Sequence, residues 1–502
     1  MKNTLKMLGI ICIIAAAIFI TSCGPGVEAD PSVTFDANGG TLNGPSKVTV
    51  KSGETVAEPT APKAPAAGSG SEPTTAGFWK LGAASSEPPT FKEWQLNGAK
   101  YDFSTPVTAD ITLKAAWNYG SGGEATKLDD KLVAADGDLL SQVVAYLNKT
   151  ATPTTANDKY LLVVGTSFNT TKQIVMEKGN LKITKVTPGG DRTITGFTPT
   201  GTNTANSHVA FIIGPATPPA SIASAPTLTI NSVGLRGNCE IKENPDGTAD
   251  LTGAGVGDSL VRVRNGAKLI LDEGSSVKGH KNNVANTSGT TGNGSAVCVV
   301  DGAALTMMQG SVIEHNESSA TSTNKNLVGG VYTIITNTAT GDYKTVTLDI
   351  QGGQINNNKS AKNTDGTDNG QTKDVYATEG GVFKLSGNVK ISEITLNADP
   401  ATNTVYTYTT MEIYNLGPAA DVNLSLRTTT AANAAAVGAL WKDKTVLTGP
   451  KPSTGSAPAV DSTYVGKFHL KDFKWNGGNA AIDTAQTTGY KLSNDGKFVE
   501  NK

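Results

Sequence analysis

Six carboxylates in this 502-residue chain, Asp258, Asp272, Glu273, Asp301, Glu314 and Asp349, could do acid–base or cation-binding chemistry if the fold gathered them. Enzymes that cleave polysaccharides need such groups on one face, to hold Ca²⁺ or to act as acid and base, often beside a basic residue. Arg262 and Arg264 alternate along one strand face and could meet an anionic sugar. Two arginines on a strand are more often a solvated face. The four histidines, His208, His280, His315 and His469, lack the spacing of a zinc site. The chain contains no phosphate-binding GxxxxGK[ST], no GxSxG elbow and no Ca²⁺-type glycine-aspartate repeat. "GAGVGD" at Gly253 has no helix after it. No catalytic residue, cofactor or metal is therefore expected. The formal net charge of -2 gives no field to attract nucleic acid.

The elements that must position these residues repeat. "SLVRVRNGAKLILDEGSSVKGHKNN" from Ser259 and "SAVCVVDGAALTMMQGSVIEHNESS" from Ser295 align without gaps at an offset of 36. Looser copies begin at Gly329 and Asp374. Each copy holds two strands, a shorter third, and a tail rich in Asn, Thr, Ser and Gly. Asn265-Gly266 and Asp301-Gly302 could each be a hairpin turn or a corner between strands of different sheets. A third short strand followed by a loop at fixed phase favours corners, and hence coils that stack like residues. Leu269 should then lie beside Leu305, and Val277 beside Ile313. Anchoring the alignment on Gly274, Gly310 and Gly352 matches Asp272 with Met308 and Ile350, and Asp349 with Met307 and Leu271, so the carboxylates form no row. Asp301 matches Asn265 and marks a corner. His280, Asn316 and Asn358 fall at matching phase, and a polar ladder satisfying turn backbone is favoured over a ligand-binding row.

Aromatics at 6% and charged residues at 17%, against 56 glycines, suit a thin layered β architecture better than a bulky core. "DGDLLSQVVAYLN" breaks the β pattern: Leu139, Leu140, Val143, Val144 and Leu147 have helical spacing, with Asp138 as N-cap. Such a helix can cover the open end of a β stack. After Trp441, "YKLSNDGKFVE" reads as a hairpin.

The first 22 residues read as an export signal: Lys2 and Lys6, then an apolar run from Met7 to Ile20 that is short for a membrane span. Ile20-Thr21-Ser22-Cys23 resembles the lipobox of bacterial lipoproteins. The resemblance implies cleavage before Cys23 and lipidation of its sulfur. Gly24 after it implies sorting to the outer membrane. Cys239 and Cys298 remain; export permits a disulfide, but two buried free thiols are the preferred reading.

Val33 to Gly40, "VTFDANGG", opens a first module, and "YDFSTPVTADITLKAAW" from Tyr101 closes it. Its strands suggest a small antiparallel domain with Phe91, Trp94, Tyr101, Phe103, Ile111, Leu113 and Trp117 as core. These phrases, with Gly53, Val56, Pro59, Pro62, Phe91 and Trp94, resemble the internalin-type B-repeat, a β-grasp-like module of bacterial surface proteins. The stretch from Lys63 to Thr90 departs from that pattern and reads as an inserted loop. The repeats resemble those of pectin-lyase-like β-helical surface proteins through Gly329-Gly330-Val331-Tyr332, Leu305-Thr306-Met307 and Gly352-Gly353-Gln354-Ile355-Asn356-Asn357-Asn358.

The expected fold is all-β: a signal peptide at 1–22, a lipidated tether at 23–31, a β-grasp-like module at 32–118 with an insertion at 63–90, and a linker at 119–130. A right-handed parallel β-helix with its short capping helix follows at 131–440, then terminal strands at 441–502 that cap or close the stack. The expected function is that of a non-enzymatic lipoprotein of the outer membrane or cell surface, held in the membrane by its lipid. It would be an adhesin or display scaffold for a host or matrix protein or glycan. A polysaccharide lyase or hydrolase, and a structural envelope component, are the alternatives.

Overall fold

The computed structural model describes residues 30–500 except 39, 65–71, 82–89, 97–98, 119–124, 152–157, 187–189, 198–208, 246–248, 254–257, 283–294, 319–327, 337–340, 361–373, 379, 403–404, 429–433, 453–455, 476–477 and 482–489. Cys23, His208 and most of the polar tails lie outside the described residues. The chain forms two compact units, Met1–Ser69 with Ala84–Gly122, and Gly70–Ala83 with Gly123–Lys502.

Six strands precede the linker: β1 (Ser32–Asp36), β2 (Lys47–Thr49), β3 (Gly77–Lys80), β4 (Thr90–Leu96), β5 (Ala99–Lys100) and β6 (Ile111–Asn118). Five of them make the sheet of the first unit, in the order β2-β1-β6-β4-β5. This sheet is mixed, where the strand pattern suggested an antiparallel one. β1 runs parallel to β6, pairing Val33 with Ile111 and Phe35 with Leu113. The two strands are far apart in sequence, so no short turn forces them to be antiparallel. One face buries Val33, Phe35, Trp94, Tyr101, Leu113 and Trp117. The tryptophans are core residues: Trp94 packs edge-on against Phe35 and Phe91, and Trp117 Nε1 donates to the carbonyls of Ala37 and Asn38.

The second unit is a parallel β-helix. Each rung places one strand on each of three faces. Val261–Val263, Lys268–Leu271 and Ser276–Lys278 are one rung; Val297–Val300, Ala304–Met308 and Val312–Glu314 are the next. Equivalent strands pair in parallel, Leu269 with Leu305 and Val277 with Ile313. The corner reading therefore holds. Asn265 and Gly266 have φ of 51° and 82°, and Asp301 and Gly302 have 42° and 74°. The left-handed pair that would close a hairpin here turns the chain onto another sheet. The interior is a column of aliphatic side chains, each worth about 1.5–3 kcal/mol when buried. Stacking extends beyond the readable repeats, from Lys159–Val164 at one end to Phe468–Trp475 at the other.

The starting end is covered twice. Helix α1 (Leu139–Thr150) is capped by Asp138, which accepts from Ser141 N, and buries Leu140, Val143, Val144 and Leu147. Its Asn148 amide donates to Val175 O and accepts from Glu177 N, standing in for a missing strand beside Ile174–Met176. The second cover was not foreseen. β3, inside the segment read as an inserted loop, pairs antiparallel with β7 (Thr126–Lys127) on one edge and with β8 (Lys159–Val164), the first strand of the second face, on the other. Phe78 is fully buried between Tyr160 and Tyr146. "GFWK" is too short, and its surroundings too rich in Ala, Gly and Ser, to announce a strand. At the far end, 441–502 supplies the last rungs and a hairpin pairing Tyr490–Leu492 with Phe498–Glu500, as the Asn494-Asp495-Gly496 turn suggested.

Candidate functional site

The third face turns into the tails at a left-handed residue in each rung: Gly279, His315 and Asn357, with φ of 72°, 54° and 53°. One residue later the polar ladder forms. Asn316 Oδ1 accepts from His280 N at 3.1 Å, Asn358 Oδ1 from Asn316 N at 3.1 Å, and Asp374 Oδ1 from Asn358 N at 3.2 Å. The Asn316 amide donates to Val277 O and Glu314 O, and the Asn358 amide to Ile313 O and Asn356 O. These side chains are buried and spent on backbone, which satisfies groups that a corner would otherwise strand.

The outer side of the first face is closed over. Its column runs Ile212, Arg262, Cys298, Tyr332, Tyr376, and all five are buried. Tyr332 stacks on Tyr376, and the Arg427 guanidinium lies over the Tyr376 ring at 5.5 Å. Arg262 was read as part of a solvated face; it is instead 4% exposed and grips both oxygens of Asp258, at 3.1 and 2.9 Å. Strand alternation told which way Arg262 points, not that the exterior there is covered. Arg264 is half-buried and donates to Gly214 O. Burial, and then Arg262, hold its guanidinium below the ordinary value. Neither arginine offers a free anion-binding pair. Cys239 and Cys298 are buried free thiols, and burial pushes Cys298 up to about 11, so it is inert as a nucleophile.

A charged group that the sequence did not announce sits where the last rungs begin. Lys474 Nζ lies 2.9 Å from Glu393 Oε1, with both side chains sealed from solvent. Ser425 Oγ donates to the same oxygen at 2.8 Å. Burial pushes the Glu393 carboxyl up, but Lys474, Lys471 and Ser425 together outweigh it and hold it below its usual range. Burial lifts Asp374 to about 7; Asn358 opposes this and Glu393 adds to it. Two carboxylates with values pushed apart are the arrangement of a general acid and base. Here Asp374 and Glu393 are 2% and 1% exposed, so no substrate reaches them and they act on the fold.

The remaining carboxylates are dispersed. Asp272 accepts from Asn231 and Glu273 N, Asp301 from Thr336, and Asp349 from Gln351, while Glu314 pairs with Lys278. Glu273 is exposed. The absence of an acidic row stands, although one alignment needs correction. Asp349 stacks on Thr306, not Met307, and Ile350 on Met307, because the turn before Gln354 is one residue shorter than its counterparts. Among the described residues no three His, Cys, Asp or Glu side chains are placed to hold a metal. His315 lies 3.8 Å from Glu243, and exposed His469 lies 3.4 Å from Asp421. A groove opens on the second face where the chain leading into β3 passes over it, enclosing about 350 Å³ between Glu72, Leu81, Lys159, Tyr160 and Lys182, with Thr229 in its lining. Glu72 and Lys182 form an ion pair across it at 2.8 Å. Its hydroxyl, ammonium and carboxylate groups beside apolar side chains suit a small polar ligand.

No protein-family model matches the chain, and no curated protein or solved structure matches it.

Proposed function

We propose that this chain is a lipid-anchored surface protein whose β-helix displays a binding surface. Cys23 carries the lipid, residues 32–118 are a B-repeat-type module next to the tether, and the partner is a host or matrix protein or glycan. The supporting observation is the constancy of register where the tails leave. Val277, Ile313 and Ile355 stack in line, and Lys281, Glu317 and Lys359 repeat beside them. The stretches from there to the next first-face strand, 283–296, 319–330 and 361–374, differ in composition, and the middle one is two residues shorter than the others. A rigid rung with a variable tail at one fixed corner is a means of presenting changeable chemistry on an unchanging frame. The buried ladder and ion pairs are already committed to that frame, which leaves recognition to the exposed second face, its groove and the tails.

Two measurements test the proposal. Metabolic labelling with a lipid precursor should mark the wild-type protein and miss a Cys23→Ser variant. The soluble 24–502 chain, screened against matrix proteins and glycans, should bind at least one without releasing product. Steady release of oligosaccharide would replace this reading with the lyase or hydrolase. Resistance of the protein to protease added to intact cells would replace it with a structural envelope role.

A further inference from the structure

We infer that the groove on the second face is a subsite for a sugar residue carrying an anionic group, and that Glu72 is its built-in competitor. The groove lies wholly within the second unit, to which Gly70–Ala83 belongs. Leu181, Ile183, Leu228 and Ile230 pack in the aliphatic column, so strand alternation turns Asn180, Lys182, Thr227 and Thr229 outward. Parallel pairing sets them in a grid. Lys159, Asn180 and Thr227 are neighbours along one row, and Lys182 and Thr229 along the next. Such a grid is spaced about 4.8 Å across the strands and about 6.6 Å along them. Two cations therefore flank an amide and two hydroxyls on one rigid surface, with Leu81 beside them.

Charge decides what this grid lacks. Lys182 Nζ donates to both carboxylate oxygens of Glu72, at 3.0 and 2.8 Å. Lys159 is exposed and has no carboxylate partner among the described residues. Neighbouring Lys80 is neutralised by Asp158 at 3.0 Å. The groove is thus positive with Glu72 in place and more so once it leaves. A carboxylate or sulfate on a ligand can take Lys182 as Glu72 does and meet Lys159 as well. Asn180, Thr227 and Thr229 select for hydroxyls beside that anion, because a ligand without them leaves these groups desolvated and unpaired. A volume of about 350 Å³ is at the small end for ligand sites and suits one residue of a glycan. The other basic group considered for an anionic sugar, Arg262, is spent on Asp258.

Glu72 is placed to be displaced. The strand that follows it is fixed independently, by Trp79 and Leu81 packing with Leu161 and Val163. The Glu72 side chain is 38% exposed and that of Lys182 27%, so their ion pair is weak. A ligand can replace the carboxylate without unseating the strand.

The biological use of the subsite rests on the binding reading above; its chemistry does not. The test is calorimetric titration of the mature 24–502 chain with D-glucuronate, D-galactose 6-sulfate, D-galactose, acetate and inorganic sulfate. At least one of the two acidic sugars should bind about tenfold or more tightly than D-galactose, acetate or sulfate, and the tighter of the two names the anionic group. Lys182→Met should weaken that binding by about tenfold or more. Glu72→Gln should tighten it by about two- to fivefold, a gain that a folding defect cannot produce. Failure of both acidic sugars to bind the wild type and Glu72→Gln, or unchanged binding by Lys182→Met, would overturn the subsite. Acetate or sulfate binding as tightly as the sugars would reduce it to an adventitious anion site only. Weaker binding by Glu72→Gln would refute the competitor. These titrations involve neither the lipid nor the tails, so a silent groove leaves the anchored reading standing, and an unlipidated Cys23 leaves the groove.

Discussion

The middle rungs and the last rungs of the β-helix face the same corner and treat it with different chemistry. Between Ser276 and Ser360 the chain turns out at the corner, and each rung seals the exposed backbone with a neutral amide, Asn316 or Asn358. In Lys390–Thr402, Asp421–Arg427 and Phe468–Trp475 single strands run straight through it, pairing on the third and first faces with a register shift between. Glu393 falls inside one of those shifts, and its charge is answered by Lys474 on another strand. The amide ladder distributes its cost, because each rung satisfies itself from its neighbours. The charged group concentrates it, because a buried ion without its partner has no local remedy. Asp374 joins the two systems as the last acceptor of the ladder and a neighbour of Glu393 in charge.

The sharpest way to break this contrast is to remove one charge. Lys474→Met should destabilise the β-helix by about 3–5 kcal/mol in chemical denaturation. Adding Glu393→Gln should recover most of that loss; if the double variant is as unstable as the single, the pair is not the source. Next comes pH. Asp374 is raised to about 7 when folded, so the stability it contributes is full below about pH 4, the unfolded value, and is lost as pH rises through about 7. Wild-type stability should therefore decline over that window from this group. Asp374→Asn should flatten the decline and be the more stable protein at pH 8, by on the order of 2–4 kcal/mol. Asn358→Ala should cost about 2 kcal/mol, with hydrogen-exchange protection lost at Asn316 and along Gln354–Asn356 and kept at Lys474. Smallest is the half-buried Lys278–Glu314 pair on the same face: Lys278→Ala should change stability by about 1 kcal/mol or less. A larger loss would mean that surface charge also holds the rungs in register.

The middle rungs were legible because repetition supplies the alignment. Gly274 and Gly310, the Asn-Gly and Asp-Gly corners and the Val277–Ile313 pair give the register, and His280, Asn316 and Asn358 gave the ladder. Legibility stopped where covering, not pattern, decides the outcome. Alternation shows Arg262 pointing away from the aliphatic column, and only the folded chain shows that side to be sealed. The third rung's shortened turn moved Asp349 by one place, because glycine fixes the strand after it and says nothing of the residues spared before it. Glu393 and Lys474 lie about 80 residues apart, in strands with no repeat signature to bring them together. Of the groove, Lys159 and Lys182 lie on strands that could be read, while Glu72 and Leu81 come from a segment that resembled a spacer.

β3 also sets an order of events. Its longer partner β8 follows about 80 residues later, which at about 5–20 residues per second leaves that edge of the strand unpaired for roughly 4–16 s of synthesis, while β7 reaches only Trp79 and Lys80 on the other edge. Phe78 lacks Tyr160 until the end of that interval, although the first unit's last strand is complete at Asn118, about 40 residues earlier. Stopping the chain near residue 122 would thus yield a well-formed sheet trailing an adhesive ribbon, and its self-association would betray where the second unit truly begins.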